Sequence, residues 1–125
     1  MDMQTATGRI QQGGLDATDR NWAMWTHLSV LLAFMVMGPF AAVAPLAMWL
    51  SRRQSSAFID DHGREVMNMS ITGVLLFVFG LLTGGIGMIM WFPWAIVAVI
   101  ALIRGAVAAS NGEYFRYPMT IRFLS

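Results

Sequence analysis

The stretch FIDDHGREVMNMSITG, residues 58–73, is the densest polar cluster in the chain, and its spacing bears on what chemistry is possible. Asp60 and Arg64 stand four apart with the acid first, the favourable orientation for an ion pair on a helix. Asp61 can instead cap a later helix start by accepting backbone N–H bonds. His62 and Glu65, three apart, offer two metal ligands, but nothing nearby completes a coordination sphere, so no metal site is expected.

Asn68 and Thr72 follow one turn apart, and Thr26, His27 and Ser29 offer partners at similar depth on an earlier apolar run. Such side chains in apolar helices hide from lipid and hydrogen-bond across helices. Two readings of Thr26, His27, Asn68 and Thr72 stand side by side. One is packing, with a neutral His27 satisfied by Asn68 or a backbone carbonyl. The other is a polar path for protons or a small solute.

Catalytic signatures are missing. There is no G-x-S-x-G, no H-E-x-x-H, no phosphate loop and no pair of intramembrane aspartates. No enzyme activity and no cofactor is expected. The chain lacks cysteine, which removes disulfides and thiolate chemistry. A net charge of +1 gives no clustered basic face for nucleic acid.

The elements that must hold these residues are apolar and long. Of 125 residues, 57% are hydrophobic and 12% charged, against about a quarter charged in ordinary soluble domains. No charged side chain lies between Trp22 and Leu50 or between Val66 and Ile103, which is the pattern of membrane-spanning segments. The small-residue run Ala42–Pro45 imitates a signal-peptidase site, but the proline and the long mixed-charge region before it argue for a retained segment.

Gly38, Pro39 and Pro45 interrupt the first apolar run, so a straight helix through it is excluded. Two spans, a re-entrant hairpin or one kinked span all fit residues 22–51. A hairpin with arms over 20–37 and 41–53 returns Arg52 and Arg53 to the side of Arg9 and Arg20. The second hairpin turns at Thr83–Gly87 and ends near Gly112. The expected architecture is therefore an all-α integral membrane protein of four transmembrane helices in two hairpins, the first short and Gly/Pro-broken.

In domain terms, residues 1–17 form a disordered polar tail, 18–112 the membrane domain and 113–125 a cytoplasmic C-terminal tail. The clustered arginines place both termini in the cytoplasm of a multi-pass protein. Trp22, Trp25 and Trp49 then sit at the inner interface, and Trp91 and Trp94 at the outer one.

Two polar segments, FIDDHGREVMNMSI and NGEYFRYPMTIRF, occur in an order that resembles the bacterial membrane domain of unknown function numbered forty-eight seventy. That family is similar to Tic-twenty, a four-helix component of the chloroplast import channel. The shared residues are Phe58, Asp60, His62, Gly63, Glu65 and Asn68 in the first segment and Gly112, Tyr117, Pro118, Thr120, Ile121 and Arg122 in the second. Met69 and Ser70 depart from the glutamine-containing version of the pattern. The resemblance implies a bacterial inner-membrane protein related to protein transport.

The candidate interaction cluster comprises Asp60, Asp61, His62, Gly63, Arg64, Glu65 and Asn68 with Arg116, Tyr117, Pro118 and Arg122 of the tail. Arg116 and Arg122 can fold back on Asp60, Asp61 and Glu65, with Tyr114 and Tyr117 at the headgroups, making the tail a lid under the bundle. Arg104 can snorkel to the headgroups or pair with Glu113 or Glu65. The function expected is that of a non-enzymatic partner or subunit of a larger membrane assembly, with lipid, a membrane-protein partner or a second copy as contacts. A small ion or solute channel is the alternative.

Overall fold

A computed structural model describes residues 2–4 and 9–124. Strand β1 (Asp2–Gln4) pairs antiparallel with β2 (Ile10–Gln12). Helix α1 (Ala17–Met37) leads through a 3-10 turn at Gly38–Phe40 into the short α2 (Val43–Arg52). The long helices α3 (Ala57–Leu82) and α4 (Met88–Ser110) complete an all-helical bundle.

The sequence forces the first break. Gly38 adopts φ 58°, a conformation open to glycine, and the proline that follows has no amide hydrogen to continue the helical ladder. Past the break the chain doubles back. The Trp22 indole donates to the Met48 carbonyl at 3.0 Å, and the Arg52 guanidinium lies 4.6 Å from the Trp22 ring. A single kinked span is thereby excluded. Ten residues in α2 rise about 15 Å, half of a hydrocarbon core of about 30 Å.

Ser56 caps α3 by accepting the Ile59 amide, at 3.4 Å. Gly84 and Gly85, both at positive φ, turn the chain into α4. Two helices, α3 and α4, are long and apolar enough to cross a membrane. The structure thus has the four expected helices without showing four spans. Large apolar side chains such as Met35, Val36, Leu82 and Ile89 are mostly exposed, which suits a lipid solvent better than water.

Residues 112–114 extend the small sheet. Gln12 donates to the Gly112 carbonyl at 2.9 Å and Tyr114 to that of Ile10 at 2.8 Å. The segment expected as a disordered tail therefore contains, among its described residues, a strand bonded to the chain's other end. The core joins α3, α4 and the C-terminal segment through Val66, Met69, Trp94, Leu102, Phe115 and Tyr117, with Val30 and Leu31 of α1 packed against it. Trp94 is a core residue, not an interfacial one: it is 8% exposed and its indole donates to the Met119 carbonyl at 2.8 Å.

Candidate functional site: a polar stripe that receives the C-terminal segment

Asp61, Glu65, Asn68 and Thr72 succeed one another at intervals of four, three and four along α3, which puts them on one helical face. Each takes a partner from residues 113–124. Asp61 accepts both terminal nitrogens of Arg116, at 2.7 and 2.8 Å. One oxygen of Glu65 accepts the Tyr117 amide at 2.9 Å while the other faces Arg122 Nε at 3.0 Å. Asn68 donates to the Leu124 carbonyl at 3.0 Å and accepts its amide at 2.7 Å. The Thr72 hydroxyl donates to the Asn68 carbonyl and accepts the Ile121 amide at 3.0 Å.

Thr72 lies fifteen residues past Ala57, about 22 Å along the helix. The C-terminal segment consequently enters the bundle and does not lie beneath it as a lid. Tyr117, expected at the headgroups, is 2% exposed. Burial, and secondarily the Glu65 charge, pushes its phenol well above the ordinary tyrosine pKa. The Arg116 pKa is raised in turn, chiefly by its hydrogen bonds to Asp61.

At the head of the stripe, four groups form a buried chain. Tyr117 Oη meets His27 Nδ1, His27 Nε2 lies 2.7 Å from His62 Nδ1, and His62 Nε2 lies 2.9 Å from the Glu113 carbonyl. A carbonyl only accepts, so His62 donates from Nε2. With both rings neutral, His62 Nδ1 then accepts from His27 Nε2, and His27 Nδ1 accepts the Tyr117 hydroxyl. Every donor is satisfied in that arrangement. The chain ends at a backbone carbonyl, which cannot pass a proton on, so it locks the segment and does not conduct.

Phe58 and Tyr114 close around His62, with ring centroids at 4.5 and 6.2 Å. Gly105 of α4 admits His27: a Cβ there would lie 2.6 Å from Nδ1. Gly63 likewise leaves room for the Trp49 side chain, which donates to Asp60 at 2.8 Å. Asp60 also pairs with Arg64.

The structure therefore joins Asp61 to Arg116 and Glu65 to Tyr117 and Arg122 directly, whereas His62 reaches Tyr117 only through His27 and Asn68 holds Leu124 instead. Pro118 stays exposed beside them. Thr26 stands apart, donating to its own helix at the Trp22 carbonyl, 2.8 Å away. His27 reaches Tyr117 and His62, not Asn68. Thr26, His27, Asn68 and Thr72 thus do not line one path; each is satisfied within its own helix or by the C-terminal segment and its neighbours.

Gly105, the burial of Trp94 and the backbone of Glu113, Met119, Ile121 and Leu124 were not foreseen from the residues. The signal available was the polar stripe itself, which needs partners in an apolar setting. Ser70 is the exception: among the described residues its Oγ is a buried side-chain polar atom with no partner, at the wall of an apolar cavity of about 150 Å³. Among those residues no three His, Asp or Glu side chains are grouped to hold a metal ion.

A model of the MamF/MmsF family, described as the magnetosome magnetite crystal formation protein family, matches residues 18–124. This match overturns the resemblance to the forty-eight seventy domain and to Tic-twenty, and removes the implied link to protein transport. The polar segments that carried that resemblance supply Asp61, Glu65 and Asn68 on one side of the docked stripe and Arg116, Tyr117, Ile121 and Arg122 on the other. No curated protein and no solved structure gives a match.

Proposed function

Because the chain belongs to the magnetosome magnetite crystal formation protein family, we propose that it works in the magnetosome membrane as a small non-enzymatic organising protein. It presents a fixed polar end to a partner or to a second copy. The observation that carries this reading is the agreement between the family match, residues 18–124, and the unit closed by the docked C-terminal segment, which runs from α1 to Leu124. The side chains that suggested chemistry are spent on holding that segment.

In this reading α3 and α4 cross the bilayer, and α1 with α2 forms a hairpin whose second arm is re-entrant. Both described ends of the chain share one side. The positive-inside rule makes it the cytoplasmic side, since Arg9, Arg20, Arg52, Arg53, Arg64, Arg116 and Arg122 gather there. Single cysteines at Ser56 and Ile86 report this directly. They are expected to react with an impermeant thiol reagent from opposite faces, and labelling of both from one face would refute the arrangement.

The functional test replaces the native copy in magnetite-forming cells with Asn68→Ala. Crystal size distributions measured by electron microscopy are expected to change while membrane insertion persists. Unaltered crystals in cells whose variant has a demonstrably undocked C-terminal segment would show that the docked end is not the working surface.

A further inference from the structure

Arg104 has no role in the docking of the C-terminal segment. It sits on α4 six residues before Ser110, about 9 Å inside the helix end. Along the same exposed surface Ile100, Ile103 and Val107 are each about half exposed, so the guanidinium leaves the helix among apolar side chains. The carboxylates that could neutralise it are engaged elsewhere. Glu113 holds Arg9 at 3.3 Å and Glu65 holds Arg122 at 3.0 Å. Asp60 and Asp61 hold Arg64 and Arg116. Among the described residues, Arg104 has no hydrogen bond or ion pair.

Its side chain borders an open groove of about 880 Å³ where the C-terminal segment enters the bundle. Arg9, Arg64 and Arg116 line the same groove with Asp60 and Asp61, so four arginines minus two aspartates leave +2. Counting Glu113, which holds Arg9, still leaves +1. Arg64 and Arg116 remain accessible, with 40% and 57% of their side-chain surface exposed.

We propose that this groove binds the phosphate of an anionic phospholipid, with Arg104 as the principal ligand and Arg64 and Arg116 as secondary ones. An unpaired cation inside a helix end is costly in a bilayer, and a counter-ion must come from outside the chain. A guanidinium matches two oxygens of a phosphodiester in one plane. Basic pockets between helices near the membrane surface are suited to such headgroups. The lipid source follows from the approach: Arg104 is reached along Ile100 and Ile103, a surface that accommodates acyl chains and offers nothing to a free anion.

The test uses the full chain in nanodiscs of phosphatidylcholine mixed with phosphatidylglycerol, with native mass spectrometry reading which lipids remain bound. Wild type is expected to retain phosphatidylglycerol several-fold over its share of the bilayer. Arg104→Gln should lose that enrichment, while Arg104→Lys should keep part of it and Arg53→Gln, outside the groove, all of it. Resistance of the bonds after Arg116 and Arg122 to trypsin certifies that each variant is folded. Equal enrichment in wild type and folded Arg104→Gln would overturn the proposal in favour of general surface attraction. Displacement of the lipid by millimolar inorganic phosphate would overturn the lipid source and assign the groove to a free anion.

Discussion

Asn68 and Leu124 pair through both of their amide groups: the side-chain NH2 donates to the Leu124 carbonyl and the side-chain oxygen accepts the Leu124 amide. A residue buried to 0% exposure in α3 thus plays the part of a neighbouring strand for the end of the chain.

Asn68→Ala is therefore predicted to strand two backbone groups and to cost about 1–3 kcal/mol. Trypsin should then cut after Arg122 markedly faster than in wild type. Ser70→Ala, two residues away, removes a hydroxyl with no partner among the described residues and should be neutral or slightly stabilising. Thermal unfolding in detergent compares the two, and a Ser70 variant weaker than the Asn68 variant would contradict this account.

Glu65 and Arg122 share an ion pair but not its importance. The Glu65 side chain is 5% exposed and also holds the Tyr117 amide, whereas Arg122 is 38% exposed. Arg122→Gln also gives up the guanidinium bonds to the Thr120 and Tyr117 carbonyls, and after solvent screening of the part-exposed side chain it should cost about 1–2 kcal/mol. Glu65→Leu, which leaves a buried amide and an arginine unpaired, should cost about 3 kcal/mol. Equal losses would mean that the ion pair alone carries the contact.

Tyr117 sets a limit at alkaline pH. Its folded pKa lies above the unfolded value of about 10, so its contribution is complete below about pH 10 and declines as pH rises toward the folded pKa. The unfolded chain releases the phenolic proton first, which favours unfolding in that window. Tyrosinate absorbance should keep a late step that coincides with loss of trypsin resistance and is absent in Tyr117→Phe. A complete rise near pH 10 with the protein still folded would remove this explanation.

Gly105→Ala would set a methyl group against the His27 ring, 2.6 Å from Nδ1. The substitution should displace His27 and break its link to Tyr117. Nitrogen NMR of wild type is expected to show both histidines protonated at Nε2 only, with the pattern lost in Gly105→Ala. A wild-type His62 protonated at Nδ1 alone would reverse the assigned direction of the chain.

Much of this architecture was legible in the residues. The uncharged runs and the Gly38–Pro39 break gave the helices and the place of the first interruption, because burial of backbone polar groups and the missing proline donor act locally. A hairpin rather than one kinked span was only favoured, by the placement of Arg52 and Arg53. Charge also set Arg116 and Arg122 against Asp60, Asp61 and Glu65 without assigning partners, which are Asp61 for Arg116 and Glu65 for Arg122. What stayed hidden depends on position in space. Residues 113–125 read as a cytoplasmic tail lying under the bundle because tyrosine, proline and arginine are common at membrane surfaces. Only the stripe at 61, 65, 68 and 72 shows that α3 reserves a face for them. Gly105 carries no sequence signal at all, since a glycine in an apolar helix has many uses.

The docked segment has a consequence for the order of assembly. Residues 113–124 follow all four helices in the chain, so until they dock, Glu65, Asn68 and Thr72 lack the partners this segment supplies. A bundle without the docked segment is thus left with unsatisfied polar groups along one face of α3. Docking of residues 113–124 is therefore the step that completes the polar bonding of α3.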